Sequence, residues 1–140
     1  MPRFPSLEWC EALVKLLETE PGVLPALREW GGQSVGVVIG KDKGLAKDFC
    51  IFAKPHASEL KLEELRMCED EDDLELEEPD YLFRAPFGLV QQLLARKLDP
   101  LDVLMKGQIR VEGDMKKLVP FSQKYRGVGE GAMDKIETVY

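Results

Sequence analysis

The chain has 140 residues, 44% of them hydrophobic, and 26 acidic against 19 basic side chains give a formal net charge of −7. That length suits one domain with a single core, needing no metal or disulfide staple. The acidic balance excludes a dedicated phosphate-backbone binder, which requires a cationic face, so no nucleic-acid partner is expected. The apolar runs are too short for a membrane span, and Met1-Pro-Arg-Phe-Pro lacks the core of a signal peptide. Cys10, Cys50 and Cys68 have neither disulfide nor metal-ligand spacing. A cytoplasmic protein with reduced thiols and no integral membrane association is expected.

In chain order, Ser6 caps a helix in which Leu7, Cys10, Leu13, Val14 and Leu17 share one face, and Pro21-Gly22 stops it. Pro25 to Trp30 is a short turn ended by Gly31-Gly32, leaving Trp30 to plug one end of the core. Ser34 to Ile39 and Asp48 to Ala53 are strands joined by a glycine-rich, charged hairpin loop. Leu60 to Cys68 mixes both periodicities and is read as a bulged strand. Glu69 to Asp73 reads as a solvated loop.

Asp80 to Ala85 is a fourth strand, and Pro86 opens a helix with Phe87, Leu89, Val90, Leu93 and Leu94 on a broad apolar face. The tally is α+β: a five-stranded, mainly antiparallel sheet covered on one face by about five helices. Residues 1–126 form the domain, and the glycines at 127, 129 and 131 make 127–140 a flexible C-terminal tail. Asparagine is absent and a third of the residues are charged, a composition that predicts a thermophilic source.

The most informative stretch is Lys97 to Leu118. Asp99 and Pro100 start a helix that Gly107 ends, Gln108 to Glu112 alternates as a strand, and Gly113-Asp114 opens another helix. Leu101, Leu104 and Met105, then Ile109 and Val111, then Met115, Leu118, Val119 and Phe121 supply one apolar lining for a linear hydrophobe, together with the face from Phe87 to Leu94. The competing reading of the same residues is plain core. Pro120 falls within the last helix, which must kink or end early there. Lys15, Lys97, Lys106, Arg110, Lys116 and Lys117 form a basic region that would suit a carboxylate or phosphate head, or simply face solvent.

This segment resembles the sterol carrier protein 2 family. The resemblance rests on Lys97-Leu98-Asp99-Pro100, Gly107-Gln108-Ile109-Arg110-Val111 and Gly113-Asp114-Met115 in that order, and extends more loosely back to about Val35. It implies an antiparallel sheet covered by helices around a hydrophobic tunnel that holds sterols, fatty acids or fatty acyl-CoA, and carriage rather than chemistry.

Catalytic signatures are weak. His56, the only histidine, follows Pro55 in a loop, and Ser34, Ser58 and Ser122 lack a second base. Cys50 sits in an apolar strand, where burial suppresses reactivity. No phosphate-binding glycine loop or EF-hand spacing occurs, so neither cofactor nor metal is expected. The expectation is non-enzymatic carriage of a fatty acid, fatty acyl-CoA, sterol-like or isoprenoid lipid. The alternative is a scaffold presenting such a lipid to a partner enzyme, docked through Glu69 to Asp73. A hydrolase or acyltransferase using His56 comes third.

Overall fold

The β-branched run Val35–Gly40 becomes β1, the central strand of a five-stranded sheet in the computed structural model, which describes residues 2–140. β1 pairs antiparallel with β2 (Phe49–Pro55), which pairs antiparallel with β3 (Leu62–Cys68). On its other side β1 runs parallel to β4 (Tyr81–Pro86), and β4 is antiparallel to β5 (Arg110–Glu112). The order is therefore β3-β2-β1-β4-β5, a mixed sheet with one parallel pair. The parallel pair follows from connectivity: a crossover with its own helix separates β3 from β4, whereas β1 and β2 share a hairpin. The bulge expected in the third strand is present: consecutive Lys54 and Pro55 of β2 pair with Glu64 and Leu62, so Glu63 is the extra residue of β3.

Both faces of the centre are covered, which is why β1 and β2 read as almost continuous apolar runs. On one face Ile39, Phe49 and Ile51 pack with Phe4, Trp9 and Phe87, and Val37 joins them. On the other, Val38, Cys50, Phe52, Cys68 and Leu82 pack around Leu74. Leu74 belongs to α3 (Glu71–Glu75) and is fully buried. Two expectations change here. The acidic run is not simply a loop, because Asp70 accepts from the Asp73 N–H at 2.8 Å and starts α3. Nor are all helices on one face, since α3 brings its leucine to the far side, held by Arg66 to Asp73 and Glu77 and by Arg84 to Glu71.

The first face carries the remaining helices: α1 (Leu7–Leu17), α2 (Val23–Trp30), α4 (Phe87–Leu94), α5 (Pro100–Met105), α6 (Met115–Lys124) and α7 (Glu130–Lys135). Ser6 and Asp99 cap α1 and α5, and Asp114 caps α6. Helix α6 continues through Pro120, so the proline neither ends it nor shortens it to one turn. The stretch read as a flexible tail is folded here: Gly127 and Gly129 adopt left-handed conformations, α7 follows, and Ala132 is fully buried. Beyond α7, Val139 pairs with Arg3, its carbonyl accepts from the Phe4 N–H at 2.7 Å, and Thr138 Oγ1 accepts from Trp9 Nε1 at 3.1 Å.

Candidate functional site

Three short elements meet around an open apolar cleft of about 660 Å³. Leu93 and Leu94 come from the end of α4, and Leu101 and Leu104 from α5. Ile109 precedes β5, while Leu118 and Phe121 come from α6. These seven of the expected lining residues are brought together. The others are not: Phe87 is in the core and Val90 packs against it. Met105 and Met115 are exposed, and Leu89, Val111 and Val119 are half-buried away from the cleft. The hydrophobic tunnel implied by the resemblance is not seen; the structure has this open cleft, within the usual size of small-molecule sites, about 300–1,000 Å³.

The opposite wall comes from residues the sequence reading placed elsewhere. Leu13 and Leu17 of α1, Trp30 of α2 and Phe83 of β4 line it, as do Val128 and Met133 near α7. The α1 leucines carried a visible signal, the helical spacing that put them on one face, but spacing alone does not tell core from cavity wall. Trp30 is held by its Nε1, which donates to the Gln33 carbonyl at 2.7 Å, and by its rings against Tyr81 and Phe121 at 4.9 and 5.1 Å between centroids. It divides the cleft from a smaller cavity of about 290 Å³ bordered by Glu29, Tyr81, Lys117 and Lys124.

Charge enters the large cleft as two ion pairs, Arg96 with Glu130 and Arg126 with Asp99. None of the basic residues singled out from the sequence lines it; Lys117 borders the smaller cavity. Arg96 is paired with α7: Nη2 donates to the Glu130 carbonyl at 3.1 Å and to Asp134 Oδ1 at 2.9 Å, and Nη1 lies 3.5 Å from Glu130 Oε1. These carboxylates, Asp134 first, hold the guanidinium above its ordinary value. Arg126 pairs with Asp99 Oδ2, while Asp99 Oδ1 accepts from the Leu101 N–H at 3.2 Å.

Groups associated with catalysis lie elsewhere. His56 Nδ1 accepts from the Ser58 and Glu59 N–H groups at 3.1 and 2.9 Å, which makes the ring the organiser of its own turn. Cys50 is buried in β2, and burial pushes its thiol and that of Cys10 up to about 11. Among the described residues no group of three or more His, Cys, Asp or Glu side chains converges as a metal site, and no helix is long and apolar enough to cross a membrane. The arrangement can sequester an extended apolar molecule and meet a polar end at the arginines.

Comparison with known proteins agrees with this architecture. The model of the SCP-2 sterol transfer family matches residues 13–124. A crystal structure of sterol carrier protein 2 superposes with a TM-score of 0.72 at 20% identity, covering 93% of this chain and 96% of that one. A Thermus thermophilus protein described as possibly a sterol carrier protein gives 0.67 at 18% identity, covering 91% and 85%. The ubiquinone synthesis protein UbiJ-SCP2 gives 0.55 at 16% identity, covering 98% and 99%. No curated protein matches.

Proposed function

The chain belongs to the SCP-2 sterol transfer family, and from that membership we propose that it binds a long apolar molecule in the cleft between α1, α4, α5 and α6 and carries it chemically unchanged. The ligand class is a fatty acid, fatty acyl-CoA, sterol-like or isoprenoid lipid. The observation that carries the reading is the cleft itself: about 660 Å³ lined mainly by leucines, aromatic rings and Met133, with few polar groups. Each buried methylene contributes of order 0.8 kcal/mol, less the cost of immobilising the chain, so an extended tail binds without a strong polar contact. Neither His56 nor any cysteine lines the cleft, which supports carriage over conversion. The proposed setting is the cytoplasm, and the composition supports a thermophilic source, which a melting midpoint above about 65 °C would support.

Native mass spectrometry of protein purified without detergent, with displacement of a fluorescent lipid, tests the proposal. Saturable displacement that is lost in Leu104→Trp, a substitution that fills the cleft, is expected, with the melting temperature moving by only a few degrees. Absence of both bound lipid and displacement would defeat it.

A second reading, presentation of the lipid to a partner enzyme, is favoured by one feature. Helix α3 and its carboxylates lie on the sheet face opposite the cleft, so a protein docked there leaves the cleft mouth accessible. Within Glu69 to Asp73, Asp70 caps α3, Glu71 holds Arg84 and Asp73 holds Arg66. Glu69 and Asp72 are therefore the residues to neutralise in a pull-down. Loss of a captured partner in Glu69→Gln/Asp72→Asn with unchanged melting would favour presentation, and lipid transfer by the isolated protein would favour carriage.

A further inference from the structure

We infer that Cys50 and Cys68 are a dithiol pair that closes to a cross-strand disulfide and staples the edge strand β3 to β2. The sheet makes the two residues register partners. Five consecutive antiparallel rungs, from Cys50 with Cys68 to Lys54 with Glu64, fix that alignment, and the bulge at Glu63 lies beyond them. Opposed residues of an antiparallel pair have Cα atoms about 4.5–5.5 Å apart, inside the range of about 4.4–6.8 Å that a disulfide spans. Opposed side chains also share one face of the sheet. Both thiols accordingly lie in the cluster around Leu74. Cys10 packs against the cluster on the other face, with the sheet between it and the pair.

The bond asks for no change of register in the native state, so its main effect is to constrain the unfolded chain. Its place in the fold gives it a use. β3 is outermost in the sheet and Cys68 is its last residue, so the link secures the end of the ladder. The next residue, Glu69, donates its N–H to Asp73 Oδ2 at 3.0 Å, which extends the same restraint into α3.

Burial sets the rate of closure and the order of attack. Cys50 is 1% exposed and its thiol is pushed up to about 11, which makes it a poor first nucleophile. Burial raises the Cys68 thiol too, but the Arg66 guanidinium opposes that rise. Cys68 therefore reacts first, when the end of the edge strand opens. The oxidant is a low-molecular-weight disulfide. The Cys68 thiolate attacks one of its sulfurs, forming a mixed disulfide and expelling one thiolate; the Cys50 thiolate then attacks the Cys68 sulfur and expels the other. The small disulfide is thereby reduced to two thiols, which carry away the protons that Cys50 and Cys68 gave up. Once closed, the sulfurs stay shielded by the core, which slows attack by reducing thiols. The proposed thermophilic source is an intracellular setting in which such bonds persist.

The test is incubation of the folded, fully reduced protein with oxidised glutathione at about pH 8, where exchange proceeds through thiolates, read by intact mass, peptide mapping and melting midpoint. Wild type and Cys10→Ala should each lose two hydrogens, retain no glutathione and yield a peptide linking Cys50 to Cys68. The midpoint should rise by about 5–10 °C. Cys50→Ala should stop at a glutathione adduct on Cys68, and Cys68→Ala should leave Cys50 unmodified over the same time. An adduct on Cys50 in Cys68→Ala would overturn the order of attack. No reaction of folded wild type, closure only in denaturant, a link to Cys10, a glutathione adduct that persists on wild type, or a lowered midpoint would overturn the staple. Those outcomes are all read on wild type and stand whether or not a variant folds. No lipid enters the assay, so the result is independent of the carrier proposal.

Discussion

Ser34 and Asp80 exchange hydrogen bonds across the start of the parallel strand pair. Asp80 Oδ2 accepts from the Ser34 N–H at 2.8 Å, and Ser34 Oγ accepts from the Asp80 N–H at 3.0 Å. The Tyr81 N–H then donates to the Ser34 carbonyl at 3.1 Å, which sets Val35 opposite Tyr81 and carries Phe83 to the cleft wall. Asp80→Ala would leave the nearly buried Ser34 amide without its acceptor, a loss of about 1–3 kcal/mol. The urea midpoint should fall accordingly, and Asp80→Asn, which keeps an acceptor, should fall less.

Gly113 is required by contact and by conformation. Its φ is +150°, and a Cβ placed there would lie 2.4 Å from the Tyr81 ring and 3.1 Å from the Asp80 carbonyl. The Tyr81 hydroxyl in turn donates to the Asp114 carbonyl at 3.1 Å, so the ring has little freedom to withdraw. Gly113→Ala should destabilise the fold by about 2–3 kcal/mol, read as a lowered urea midpoint.

The buried thiols make stability fall on the alkaline side. Cys10 and Cys50 are pushed up from 9.0 to about 11, chiefly by burial. The unfolded chain therefore loses these protons first. Their neutral forms contribute fully below about pH 9, and the contribution is lost as pH rises through the folded-state values. Urea midpoints measured from pH 7 to 11 should decline over that upper window, and the decline should be smaller in Cys10→Ala/Cys50→Ala. Alkylation of both thiols near neutral pH should be slow until denaturant is added.

Arg96 makes a local rather than a global contribution. Its pairs with Glu130 and Asp134 are well exposed, so Arg96→Gln should cost no more than about 1 kcal/mol overall. Amide exchange from 128 to 136 should nevertheless accelerate, because those pairs fasten α7 to the turn after α4. Unchanged exchange there would show that Ala132, Met133 and Ile136 hold the helix unaided.

The run from Asp99 to Met115 was legible because each boundary is chemical: Asp99 and Asp114 cap, Pro100 starts a helix, and Gly107 and Gly113 take backbone that other residues avoid. The central strands were equally plain from their β-branched residues. What escaped is non-local. The parallel alignment of β1 and β4 depends on two residues 46 apart in sequence, and the cleft needs Leu13 and Val128 to meet Leu104. Gly127 and Gly129 were read as flexibility, although here they supply the left-handed turns that bring Met133 to the wall. Met105 and Met115 share the alternation of the lining but turn outward, since short elements end before their faces meet the cavity.

The wall formed by residues 127–133 is fastened at both ends: behind it by α6, and ahead of it where Thr138 and Val139 grip Trp9 and Phe4. It is strung like a hammock, with one tie at Thr138 and Val139, neither of which lines the slot. A fusion partner or affinity tag joined directly to Tyr140, or deletion of the last three residues, should slacken lipid retention without touching a single lining side chain.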